Sequence, residues 1–332
     1  MSFSAATFPL KDYEALTTRC GVGILSGLSM VTLTGLERQS FLHNMCTNDI
    51  RSLGTGSGCE AFLTDVKGKI VAHLVALVSE SELRLLSVPT QAERIISHLD
   101  RYIIREDVQL CDASGAWTWL VCAGAKAEET LSEVTSGESD RVSSPWQSCD
   151  CNLTGINTTV LCCQALWPGG FLVGCAAESS EMVLDALRRG GGRICSAAAW
   201  EALRVESGLP RFGVDFDEAN LPQEVDRNEQ SINFHKGCYL GQETIARIDA
   251  LGHVNRKIVS IEFTSSAKVV DATPLFMGDQ QVGAVTSSSW SPRQKAPLAL
   301  AMVRRGANDP GIELTSDVGP ATIKSPSHYG RG

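Results

Sequence analysis

Residues 235–247 read His-Lys-Gly-Cys-Tyr-Leu-Gly-Gln-Glu-Thr-Ile-Ala-Arg. Two glycines, Gly237 and Gly241, bracket a thiol and an aromatic ring, and glycine is favoured where a backbone turns sharply or approaches a ligand. The run from Gln242 to Arg247 is rich in helix formers, which places Cys238 just ahead of a helix N-terminus. Unpaired amides and the positive end of the helix dipole favour a thiolate there, and Lys236 acts in the same direction. Two readings of Cys238 stand side by side: a reactive or ligand-contacting thiol, or one more inert core cysteine in a chain that holds twelve.

The segment Lys236-Gly-Cys-Tyr-Leu-Gly-Gln-Glu243 resembles the signature of the YgfZ family of folate-binding proteins, relatives of the aminomethyltransferase (T-protein) of the glycine cleavage system. The likeness extends along the chain. Residues 203–215, Leu-Arg-Val-Glu-Ser-Gly-Leu-Pro-Arg-Phe-Gly-Val-Asp, resemble the Leu-Arg-x-Glu-x-Gly-Leu stretch of aminomethyltransferases. Gly35, Phe41-Leu42 and Thr47-Asn48-Asp49-Ile50 resemble the opening motif, and Gln281–Ser287 with Leu298–Val303 resemble the terminal barrel.

The resemblance implies an α+β, three-module, aminomethyltransferase-like (GcvT-like) fold around a central channel, closed by a C-terminal β-barrel. The expected division is a folate-binding region of two interleaved modules over 1–250 and a barrel domain over 251–332. It further implies a tetrahydrofolate-binding factor that supports assembly or repair of iron–sulfur clusters, with iron–sulfur proteins or assembly factors as partners and a cluster met transiently. Cys238 and Lys236 would carry the chemistry, and Arg204, Asn48, Glu224 and Tyr239 would contact the ligand.

Each assignment has a structural alternative. Arg204 and Glu206 suit an ion pair on a helix, whereas a guanidinium also suits a ring or a carboxylate. Asn48 and Asp49 are common turn residues. Glu224 fits either role, and Tyr239 either stacks on a ligand or packs in a core.

One departure bears on activity. Aminomethyltransferases carry an acidic pair after a Gly-Gly-Ile-type turn; the matching segment here, Lys67 to Val75, has Ala72 and His73 in its place. Alanine cannot stabilise the positive charge that develops in aminomethyl transfer. The family's pterin-binding Gly-Glu-Asp-Gly segment has Trp167-Pro-Gly-Gly-Phe171 as its counterpart. Glycine cleavage is therefore not expected; a folate-dependent one-carbon transferase and an adaptor that binds no folate remain the alternatives. His73 reads as a base or as a satisfied residue of an apolar strand.

Composition sets outer limits. With 332 residues and 43% apolar content, the chain can build two or three domains. A net charge of −9 argues against nonspecific nucleic-acid binding, which depends on phosphate neutralisation. No long apolar run or basic leader is seen, so the expectation is a cytoplasmic chain with reduced thiols and no membrane partner. No Cys-x-x-Cys pair occurs, and no resident metal is expected. Gly21 and Gly23 lack the spacing of a dinucleotide loop, Gly68-Lys69 that of a phosphate loop.

Periodicity predicts strands over 29–34, 69–78, 83–88, 117–123, 158–163 and 170–174, and helices near 36–46, 90–104, 126–134, 180–189 and 197–207. Residues 136–157, rich in Ser, Gly, Asp and Asn, read as an exposed excursion. Short β-rich runs after His253 read as a small barrel or sandwich.

Overall fold

The computed structural model describes residues 8–163, 170–265 and 269–325. Two sheets, antiparallel except for the parallel pairing of Gly21–Leu25 with Arg193–Ile194, form its N-terminal part. The five-stranded sheet runs Gly58–Thr64, Ile70–Val78, Leu83–Ser87, Ser29–Thr34, Gln109–Asp112 from edge to edge. Helices Arg38–Met45 and Ala92–Asp100 cover one face, where Leu42, Ile95 and Leu99 meet Leu63, Leu74 and Leu85. The six-stranded sheet runs Arg193–Ile194, Gly21–Leu25, Trp117–Ala123, Phe171–Ala176, Ile156–Cys162, Ser148–Leu153. Helices Ala127–Val134 and Ser180–Arg189 cover it in the same way.

The remaining faces pack against each other: Met30, Val75 and Leu86 of the first sheet share a core with Trp119, Leu161 and Leu172 of the second. Chain order interleaves the sheets, because strand Gly21–Leu25 joins the second and the next strand, Ser29–Thr34, the first. Gly21 and Gly23 leave room on their strand for side chains of helices Leu10–Thr18 and Ala197–Glu206. A Cβ at Gly23 would sit 2.8 Å from Trp200 Nε1, and one at Gly21 2.4 Å from Leu16 Cδ2.

The third unit is a six-stranded antiparallel sheet in the order Pro274–Met277, Gln280–Ser291, Ala296–Arg304, Arg256–Phe263, Ala321–Lys324, Glu313–Leu314. A bridge between Phe276 and Thr315 links its outer strands and nearly closes a barrel around Phe263, Leu275 and Ile323. Alternation along Arg256–Phe263 puts Ile261 and Phe263 in that core and Glu262 outside. The fold is thus α+β with a terminal barrel, as expected.

Among the segments that differ from the sequence reading, three have a reason in their composition. Residues 136–157 are not one exposed excursion: a short 3₁₀ helix, Glu138–Arg141, precedes the edge strand Ser148–Leu153, which buries Cys151 and Leu153 and turns Asp150 and Asn152 outward. Polar outward residues masked a period of two. Strand Gly58–Thr64 was unread because Glu60 interrupts its apolar run, and Gly21–Leu25 because its glycines weaken the strand pattern.

Candidate functional site

Cys238 lies four residues before helix Gln242–Leu251, whose N-cap is Gly241 at φ 82°. Glycine is required at Gly241. The left-handed φ disfavours other residues, and a Cβ would fall 2.4 Å from Asp65 O and 2.9 Å from Gly68 Cα. Gly237, by contrast, has open space around it, and nothing in the structure explains its identity.

Lys236 holds the start of this loop. Its Nζ donates to His43 O at 2.5 Å, Cys46 O at 2.8 Å and Asn48 O at 2.7 Å. An ammonium has three protons, and all three are used. The acceptors belong to the end of helix Arg38–Met45 and the residues after it, where a cation complements the helix dipole. Burial lowers the Lys236 pKa, and the same ammonium sits 5.0 Å from the Tyr239 ring centroid.

The other side of the thiol is fixed as well. Leu240 N donates to Asn44 O at 2.9 Å, and Thr64 Oγ1 donates to Leu240 O at 2.6 Å. Tyr239 is buried among Phe62, Ile70, Phe216 and Ile245, and that burial raises its phenol above the ordinary range. Gly237 and Cys238 are therefore exposed residues between two anchored points. Lys236 anchors the loop and Tyr239 packs beneath it.

Beneath the loop lies a buried charged cluster that the sequence did not reveal. Glu60, fully buried on its strand, receives Arg227 through both carboxylate oxygens at 2.5 Å each. Ser231 Oγ donates to Glu60 Oε1 at 2.6 Å, and His73 Nε2 lies 2.8 Å from the same oxygen. Burial alone would raise the Glu60 carboxyl pKa; the Arg227 guanidinium and His73 override it and hold the group well below the carboxylate range. His73 stacks on Phe62 at 4.9 Å and meets Phe216 edge-on at 5.8 Å. Neighbouring Ala72 is wholly buried.

Asn48 belongs to this knot. Its Nδ2 donates to Glu60 O at 2.8 Å and Gln230 O at 2.9 Å, and its Oδ1 accepts from Asp49 N. Thr47 Oγ1 donates to Ser231 O and accepts from Phe62 N.

Arg204 and Glu224 lie elsewhere, at the seam with the barrel. Arg204, 5% exposed, donates to Leu209 O at 2.6 Å, Asp215 Oδ2 at 2.8 Å and Glu201 through two nitrogens. Asp215 in turn accepts from Thr286 Oγ1, the bulged residue of strand Gln280–Ser291. Glu224 accepts from Asn220 Nδ2 at 2.7 Å and faces Arg256, the first residue of the barrel, at 3.4 Å. The six expected residues therefore fall into three places: Cys238, Lys236 and Tyr239 together, Asn48 beneath them, and Arg204 and Glu224 at the seam. Trp167, Pro168 and Gly169 lie outside the described residues. Among the described residues no group of three or more His, Cys, Asp or Glu side chains is arranged to hold a metal ion.

Comparison with known proteins accords with this architecture. The GCVT N-terminal domain family matches residues 3–228. The chain belongs to that family. The glycine cleavage T-protein C-terminal barrel domain matches residues 256–327. An aminomethyltransferase of Synechococcus sp. is 22% identical over 336 residues, covering 97% of this chain and 90% of that protein. A chloroplastic protein of Arabidopsis thaliana, described as a candidate transferase, is 25% identical over 297 residues, with 88% and 67% covered. The crystal structure of the glycine cleavage system aminomethyltransferase T from Bartonella henselae superposes with a TM-score of 0.86 at 17% identity, over 96% of this chain and 88% of that one. At that identity the likeness is one of fold. No described helix is long and apolar enough to cross a membrane.

Proposed function

We propose that this member of the family is a YgfZ-like, tetrahydrofolate-binding factor that supports assembly or repair of iron–sulfur clusters, with Cys238 as its reactive group. The observation that carries the reading is the exposed Cys238 thiol between two anchored points of the loop. A thiol presented in this way reaches a cluster or a partner thiol without unfolding its surroundings. Glycine cleavage is disfavoured by Ala72, which supplies no carboxylate where aminomethyltransferases carry one.

Arg204, Asn48 and Glu224 have their polar atoms engaged inside the protein. In this reading they hold the surrounding framework and do not themselves grip the ligand. A second reading, a folate-dependent one-carbon transferase, draws on the 2.8 Å contact between His73 and Glu60, which orients the imidazole as a carboxylate orients a general base.

Anaerobic calorimetric titration with tetrahydrofolate tests the first reading, using the wild type and Cys238→Ala. Saturable binding by both proteins, with no turnover of a methylamine donor, is the expected result. Turnover abolished by His73→Ala would establish the transferase instead. Absence of folate binding would remove the ligand and leave an adaptor acting through Cys238.

A further inference from the structure

The outer strand Ser148–Leu153 carries two thiols, Cys149 and Cys151, two positions apart. Side chains at that spacing share one face of a strand. The burial pattern agrees: Asp150 and Asn152 are exposed, whereas Cys149 is half-buried and Cys151 is buried. The 3₁₀ helix Glu138–Arg141 borders the pair, and Cys149 Sγ donates to Glu138 O at 3.7 Å. Cys151 Sγ lies 3.4 Å from Thr158 Oγ1 on the neighbouring strand, and the two thiols share a hydrogen bond.

Two chemistries suit adjacent thiols, a disulfide and a metal ion. Pairing with strand Ile156–Cys162 runs without a bulge through Cys149–Val160 and Cys151–Thr158, so the backbone here is regular. At about 3.4 Å per residue the two Cα atoms stand ~6.8 Å apart, the upper limit for a disulfide. An ion between the sulfurs fills that longer span. It finds two donors and no third. Cys175, the next thiol in line, lies two strands from Cys151, about 9–10 Å away. Zinc and iron–sulfur clusters are held by four ligands, which are not assembled here. A soft monovalent ion is satisfied by two thiolates.

We propose that Cys149 and Cys151 form a two-coordinate site for a soft monovalent metal ion of the copper(I) class. The ion enters past half-buried Cys149 and bridges the two sulfurs. Two S–H bonds break, two S–Cu bonds form and two protons leave for solvent. The metal stays copper(I) throughout, so the step consumes no oxidant or reductant. The product is a bis-thiolate with one negative charge. The Arg141 guanidinium, which donates to Asp150 O at 3.1 Å on the same strand, stands beside that charge. The site draws on neither folate nor Cys238.

The test uses the full chain in a Cys111→Ser/Cys238→Ser background, which removes the two exposed thiols. Reduced protein is titrated anaerobically into copper(I) bicinchoninate, and the loss of the chelate's colour counts the ions taken. Uptake of about one ion per chain is expected. Cys149→Ser and Cys151→Ser, checked for folding by circular dichroism, should each weaken binding by ~100-fold or more, and Ser148→Ala should leave it unchanged. X-ray absorption at the copper edge, which needs no change at the site, should show two sulfur neighbours and no nitrogen or oxygen. No uptake, or uptake undiminished in Cys149→Ser, would overturn the proposal. A third ligand at the metal would overturn it too, by placing the ion elsewhere in the chain.

Discussion

Replacing Arg227 with Met removes the bidentate partner of Glu60 and leaves the carboxylate behind, wholly buried. Breaking a buried pair from one side costs about 3–5 kcal/mol because the remaining charge is uncompensated. Here His73 at 2.8 Å and Ser231 at 2.6 Å still contact Glu60, which places the loss near the low end, ~3 kcal/mol. At roughly 2–4 °C per kcal/mol, the melting temperature should fall on the order of 6–12 °C.

The pH dependence carries the sign. In the wild type the folded-state pKa of Glu60 is depressed despite burial, so its contribution is present above the unfolded value of about 4.3 and is lost as pH falls through the folded value. In Arg227→Met burial prevails and the folded pKa rises above the unfolded one. The penalty then grows as pH rises from about 4.3 through the raised value and fades toward acid. Urea unfolding at pH 8 and pH 5, both above the wild-type window, reads the variant's penalty, with Glu60→Gln/Arg227→Met as the control that removes the charge. The variant should lose more at pH 8 than at pH 5, and the double variant should recover part of the loss. A deficit below about 1 kcal/mol, or one that does not shrink in acid, would show that the pair is not the electrostatic knot described here.

Lys236→Met should lower stability by about 2–3 kcal/mol in urea unfolding by stripping three carbonyls of their donor; Lys236→Arg should not restore it, since a planar fork does not reproduce an ammonium's three directions. Gly241→Ala should cost more than ~2 kcal/mol because of its φ and its approach to Asp65, whereas Gly237→Ala should stay within about 0.5 kcal/mol. Iodoacetamide with peptide mapping should label Cys111 and Cys238 in the native protein well before the buried thiols, and Cys238→Ser should shift stability by less than about 0.5 kcal/mol.

Short-range patterns were legible in the sequence. The helices near 36–46, 90–104 and 197–207, the strand runs of the barrel and the position of Cys238 ahead of a helix all follow from periodicity and turn residues. What escaped was long-range pairing. Glu60 breaks the apolar run of its strand, and its partner Arg227 lies 167 residues away, beyond any local pattern. Lys236 looked like an activator of the neighbouring thiol because the carbonyls that hold it lie 188–193 residues upstream. Local chemistry names the groups available to react, but it cannot tell which of them tertiary structure has already satisfied.

The same distinction governs what the family motifs mean. Arg204 reaches the barrel through Asp215 and Thr286, Glu206 meets Tyr13 at one oxygen and Ser291 at the other, and Glu224 faces Arg256. Apolar surfaces can slide past one another, whereas directional hydrogen bonds between buried groups select one seating. The Leu-Arg-x-Glu stretch thus joins helix Leu10–Thr18, helix Ala197–Glu206 and the barrel in a single arrangement. Keeping that arrangement requires those residues whether or not aminomethyl transfer is performed. The motif therefore speaks for the fold, and the case for a particular chemistry rests on groups the fold does not consume. Cys238, exposed between Lys236 and Tyr239, is such a group.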